Sequence, residues 1–216
     1  MKQTAGSLIA ASAVCLFVGG LVAQGPAGRF VRVDDKELNN PDPADWLMLG
    51  GNMEHWNYSR LDQINRENVG NLQLVWARQM PTTGGRAGTS PLIHNGIMYL
   101  ISPNDAILAV DARTGSRLWE YRRPLSEIGN EPGMIHHRYS GAKRGLSLYG
   151  DKIFTVASDN AVIALDALNG KVVWETSRGT DGYVANTSGP IIANGILIAG
   201  EAARTLLSAA TSPAMT

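Results

Sequence analysis

Ala109-Val110-Asp111-Ala112-Arg113-Thr114-Gly115-Ser116-Arg117-Leu118-Trp119 returns 55 positions later, without a gap, as Ala164-Leu165-Asp166-Ala167-Leu168-Asn169-Gly170-Lys171-Val172-Val173-Trp174. The two copies keep Ala, Asp, Ala, Gly and Trp at matching places, and Glu120 and Glu175 follow each Trp. The match extends backwards through apolar positions, with Met98 on Ile153, Tyr99 on Phe154 and Ile107 on Val162. A fixed period of this length marks a repeat architecture, in which one supersecondary unit stacks on the next.

Within a copy the apolar runs are short. The first runs over residues 90–94, the second over 97–101, the third over 106–110 and the fourth over 118–121. Asn95-Gly96 is a hairpin turn signal between the first two, and Thr114-Gly115 or Asn169-Gly170 separates the last two. Four strands per repeat predict a propeller blade rather than a sandwich. A third copy opens at Ser188-Gly189-Pro190-Ile191-Ile192, turns at Asn194-Gly195 and runs on to Gly200. The predicted class is therefore all-β: about two and a half four-stranded blades of a partial β-propeller over residues 72–200. Residues 201–216 form a divergent tail without alternation or a closing Trp. It is expected to be unstructured, the product of a frame change, or a short alanine-rich helix.

Before the repeats, residues 24–71 read as a leader, with the turn cluster Asn39-Asn40-Pro41-Asp42-Pro43 and the apolar stretch at 45–49. A helical turn is expected within residues 59–71, with Asn65, Glu67 and Asn68 as capping candidates. Residues 72–76 alternate as a strand would. Ahead of the leader, Lys2 is the only charge in the first 28 residues, and residues 8–23 are mostly apolar. That length suits a cleaved signal peptide over residues 1–23 better than a membrane span, although an uncleaved anchor stays open. Cleavage would remove Cys15, the only cysteine, leaving no thiol nucleophile or ligand. No stable membrane span is then expected. With 19 basic and 19 acidic side chains there is no cationic excess to suggest a nucleic-acid partner.

The repeated stretch, A-x-D-x-x-T-G-x-x-x-W in its first copy, resembles the tryptophan-docking motif of the quinoprotein alcohol dehydrogenases, which depend on pyrroloquinoline quinone (PQQ). Asn40-Pro41-Asp42-Pro43-Ala44-Asp45-Trp46, Ser59-Arg60-Leu61-Asp62-Gln63-Ile64-Asn65 and Asn68-Val69-Gly70-Asn71-Leu72 resemble that family's leader, in the same order. The resemblance covers about residues 37–200. It implies an eight-bladed propeller in the periplasm, with PQQ in the central channel beside a calcium ion. In full-length relatives an aspartate base takes the proton of a small-molecule alcohol as hydride passes to the quinone.

The resemblance also implies roles. Trp119 and Trp174 would stack on neighbouring blades, burying large aromatic surfaces. Asp111 and Asp166 would hold their turns by accepting backbone N–H bonds, and Gly115 and Gly170 would supply positive φ. Arg144, in Lys143-Arg144-Gly145-Leu146-Ser147, matches the arginine that pairs with a PQQ carboxylate, a task suited to a planar guanidinium fork. Thr187, in Asn186-Thr187-Ser188-Gly189-Pro190, matches a threonine whose hydroxyl also bonds PQQ. A blade-edge surface arginine and a strand-entry threonine are the plainer alternatives.

The chain departs from the pattern in several places. Gly88 stands where many members carry a glutamate, and the loop at 127–143 lacks their adjacent cysteine pair. That loop holds His136-His137, whose side chains, as loop neighbours, are expected to point apart rather than share a metal. The family's calcium ligands, stacking tryptophan and base all follow the start of the third blade. No catalytic residue and no metal ligand is therefore assigned, and Glu201 has the wrong spacing to serve as one. The expected function is that of an N-terminal portion of a PQQ-dependent dehydrogenase, inactive alone. The alternatives are a PQQ-like repeat propeller that binds proteins without redox chemistry, and a gene remnant.

Overall fold

The computed structural model describes residues 30–80, 88–123, 143–178, 184–185, 188–200 and 202–203. The expected signal peptide, Thr187, His136, His137 and Glu201 lie outside these residues. The first sheet contains β1 (Leu92–His94), β2 (Ile97–Ser102), β3 (Ala106–Asp111) and β4 (Arg117–Arg122). The second contains β5 (Ser147–Tyr149), β6 (Lys152–Val156), β7 (Ala161–Asp166) and β8 (Val172–Ser177). Each is an antiparallel meander in sequence order. After β9 (Val184–Ala185), the hairpin β10 (Ile191–Ala193) and β11 (Ile196–Ile198) opens a third blade. The architecture is thus two blades of a β-propeller and the first hairpin of another, as the repeat predicts.

Local chemistry explains the meanders. Asn95 and Gly96 sit at φ +54° and +74°, and Asn194 and Gly195 at +51° and +72°, as the primed turn of a two-residue hairpin requires. The ladder between the third and fourth strands slips at Ala109/Val110 in one blade and at Ala164/Leu165 in the other. These are the same repeat position, so the bulge belongs to the motif and sets the twist into the docking turn. Asp111 Oδ1 accepts the N–H groups of Arg113 and Thr114, and Asp166 Oδ1 those of Leu168 and Asn169. Both aspartates are turn anchors, as expected.

The blades meet through the indole of Trp119, which is 7% exposed. Its Nε1–H donates to the Ala167 carbonyl at 2.9 Å. Its ring lies over Gly170, at φ +71°, so closely that a Cβ there would be 2.4 Å from Cε3. Burying a Trp removes ~150–250 Å² from water, roughly 4–6 kcal/mol as an upper estimate. Trp76 repeats the arrangement one step earlier, donating to the Ala112 carbonyl at 3.1 Å and lying over Gly115.

Trp174 departs from expectation. It is 39% exposed and touches Phe154 at a ring separation of 6.0 Å, because no glycine turn among the described residues covers it. Residues 72–76 also depart, forming no strand and leaving Leu74 and Val75 84% and 82% exposed. Alternation alone does not make a strand: no described strand lies alongside to complete a ladder. The tail departs too, since β12 (Ala202–Ala203) pairs with β9. The helical turn falls at Val69–Asn71, with Asn65 Oδ1 accepting from Glu67 and Asn68.

The leader is a strap across the edges of both blades. Trp46 exchanges backbone hydrogen bonds with Ile93, and Val33 with Gly150. Between them lies α1 (Asp35–Asn39), started by a capping box of Asp34 and Glu37 that the sequence contains but that went unpredicted. Val33, Leu38 and Leu47 are buried in one core with residues of both blades. His94 fastens the strap. Nδ1 is 2.7 Å from Asp45 Oδ2 and Nε2 is 2.8 Å from the Val31 carbonyl, and Phe30 stands edge-on to the ring at 5.3 Å. Both nitrogens face acceptors, which only imidazolium can satisfy. Burial pulls its pKa down, but the Asp45 hydrogen bond, the Val31 carbonyl and the nearby Glu37 charge leave it above the ordinary 6.5.

Two predictions follow from these contacts. Gly170→Ala places a side chain at positive φ under an indole, so it should cost more than ~2 kcal/mol in urea unfolding. Gly70→Ala, with nothing within 4 Å of its added Cβ, should cost less than ~0.5 kcal/mol. His94 has a raised folded pKa, so its stabilisation is complete below pH 6.5 and lost as pH rises through the folded value. The difference in urea midpoint between the native chain and His94→Gln should therefore shrink from pH 6 towards pH 9.

Candidate functional site

The first strands of successive blades converge where the Lys143-Arg144-Gly145 segment enters β5. Gly145 and Gly189, the residues that lead into β5 and β10, lie backbone against backbone. A Cβ on Gly189 would be 2.6 Å from the Gly145 carbonyl carbon. Ser147 Oγ–H donates to the Pro190 carbonyl beside this contact. Phe154, Ala164 and Ile192 bury a small apolar cluster on the same face of the second blade. The segment that carries Arg144 is therefore held against the segment that follows Thr187. The Thr187 side chain itself lies outside the described residues.

Around Arg144, direction alternates. Lys143 and Leu146 are buried, and Arg144 between them is exposed. Arg144 has no hydrogen-bond or ion-pair partner among the described residues. Lys143 instead enters the seam between the blades, where Nζ lies 2.7 Å from Asp105 Oδ1 and donates to the Val156 carbonyl at 3.0 Å. Asp105 Oδ2 accepts from the Ser158 N–H at 2.8 Å. A second charged cluster reaches the same turn of the second blade, at the next residue. Arg123 binds Asp159 through two nitrogens and Glu175 at 2.7 Å. The Arg123 hydrogen bond holds the Glu175 carboxyl below the usual carboxylate range.

Sequence reasoning placed Arg144 correctly at the entrance to a first blade strand but missed Lys143 and Asp105. No short-range signal marks that pair, which is made by residues 38 positions apart (105 to 143). Gly88, at the position where a glutamate was expected, is exposed with nothing within 4 Å of a built Cβ. A groove in the leader, lined among others by Asn40, Asp45, Trp46, Trp56, Tyr58 and Arg60, does not include Arg144.

The residues present fit the two expected groups unequally. A partnerless, exposed guanidinium on a segment pinned from both sides suits a carboxylate-bearing cofactor such as PQQ. Among the described residues no group of three or more His, Cys, Asp or Glu is placed to hold a metal ion.

Comparison with known proteins bears on the family and the fold. Residues 46–214 match the PQQ family described as the glucose/ethanol/alcohol dehydrogenase β-propeller domain, a match that runs into the stretch expected to be a divergent tail. The quinohemoprotein alcohol dehydrogenase of Comamonas testosteroni is 34% identical over 205 residues, covering 91% of this chain and 28% of the relative. The dehydrogenase subunit of the quinone-dependent alcohol dehydrogenase of Gluconobacter oxydans is 36% identical over 179 residues, 81% of this chain and 22% of the relative. The crystal structure of the Comamonas testosteroni quinohemoprotein superposes with a TM-score of 0.68 at 30% identity, over 80% of this chain and 26% of that one. The chain thus spans about a quarter of the length of these relatives. With the docked indoles, the doubled motif and a family match over residues 46–214, the chain belongs to the PQQ-type glucose/ethanol/alcohol dehydrogenase β-propeller family.

Proposed function

We propose that this chain forms part of the cofactor channel of a periplasmic, PQQ-dependent alcohol dehydrogenase, with Arg144 and Thr187 as cofactor-binding residues. The observation that carries the proposal is Arg144: an exposed cation, without a partner among the described residues, on a segment whose neighbours are buried or in backbone contact. Its guanidinium would meet a PQQ carboxylate through two parallel N–H bonds, and the Thr187 hydroxyl would donate a further bond. PQQ, when bound, supplies the two-electron chemistry by which an alcohol is oxidised. The residues named here bind and orient it. No base for the alcohol proton and no metal ligand is assigned to residues of this chain, and by itself it is expected to bind the cofactor without turning over. No helix among the described residues is long and apolar enough to cross a membrane. The apolar run at residues 8–23 supports export to the periplasm by a cleaved signal.

Titration of the 216-residue chain with PQQ, followed by fluorescence, tests this. Arg144→Gln should weaken binding by ~10–100-fold, the worth of a charge-assisted hydrogen bond. Arg144→Lys should fall between the two, because it keeps the charge but loses the fork. Equal affinity in all three proteins would remove Arg144 from the site. With PQQ, calcium, an alcohol and a dye acceptor, no sustained turnover is expected. A chain that ignores PQQ altogether would favour the protein-binding scaffold.

A further inference from the structure

We propose that Lys143 is a positioning residue for Arg144, acting through its buried ion pair with Asp105 across the seam between the blades. The inference rests on the reading of Arg144 as a cofactor-binding residue. Lys143 is 2% exposed and Asp105 is fully buried. The ammonium spans three elements: the segment entering β5, the turn between β2 and β3 that carries Asp105, and the Val156 carbonyl at the end of β6. Asp105 is fixed in its turn, at φ +56°, and its second oxygen takes the Ser158 N–H. Neither partner can shift without moving a blade.

The repeat shows that the blade itself does not require this pair. Shifted by 55 positions, Asp105 falls on Asn160 and Lys143 falls on Gly88. In the second blade, Asn160 Oδ1 accepts from Arg178, a neutral amide in place of the carboxylate. Desolvating a lysine and an aspartate costs several kcal/mol per ion, and apolar side chains fill such seams at least as stably. A buried pair at a residue adjacent to Arg144 is therefore better explained by orientation than by stability. With Lys143 drawn into the seam and Gly145 held against Gly189, the Arg144 backbone is pinned on both sides. Its exposed side chain then starts from a fixed backbone, and less freedom is lost when an anion binds.

The test is a double-mutant cycle on the 216-residue chain, reading the Kd for PQQ and the urea midpoint of each variant. The variants are Lys143→Met, Arg144→Gln and both together. Lys143→Met is expected to weaken binding between about twofold and tenfold, the cost of one freed side chain, and to add nothing once Arg144 is Gln. Should Lys143→Met fail to fold, Lys143→Met with Asp105→Asn leaves no orphaned charge and takes its place, with the same expectation. A weakening of the same factor in both backgrounds, or none in either, would mean the pair is merely structural and overturn the inference. An unaltered chain that does not bind PQQ, or an Arg144→Gln variant that binds as tightly, would instead overturn the cofactor reading on which it rests.

Discussion

Everything in this structure is referred to the contact between an indole and a glycine turn. Trp119 could close on the next blade only because residue 170 has no Cβ and accepts a left-handed backbone, and because Asp166 ties that turn into one shape. The indole N–H then donates to the Ala167 carbonyl of the same turn. Apolar area supplies the energy, and the hydrogen bond sets the angle at which one sheet meets the next. Once that angle is fixed, the seam brings Asp105 to Lys143, and Arg123 to Asp159 and Glu175. The pinning of Arg144 is downstream of the same contact.

The parts of the fold legible in the sequence were those written in neighbouring residues. The hairpin turns and the aspartate-held turns depend on a few consecutive positions, so the repeated sequence announced them. Trp76 was different. Its docking on Gly115 looks like that of Trp119, yet it is not followed by a strand partner, and alternation at residues 72–76 was mistaken for a ladder. The burial expected of Trp174 was an inference about a surface that the described residues do not include. The capping box at Asp34 and Glu37 was local and readable, and was passed over because turn residues dominate the stretch behind it.

The candidate site was half legible for the same reason. Arg144 stands in a recognisable tripeptide, whereas the reason it points where it does lies in Asp105, a residue of another blade. Nothing in the composition distinguishes Asp105 from a solvent-facing turn aspartate. Its complete burial arises only when two sheets close over it. Orientation of a side chain is a tertiary property even where its identity is a local one.

The strap adds a constraint of timing. Asp35 waits for the hydroxyl of Tyr149, 114 positions later, and Val33 waits for Gly150 beside it. The strap is thus synthesised well before the partners that hold it. Until then the core that Leu38 joins lacks its residues from the second blade. Loops this long close slowly and cost entropy before they return contacts. A chain that emerges in order therefore carries this strap unfastened until the second blade begins to form.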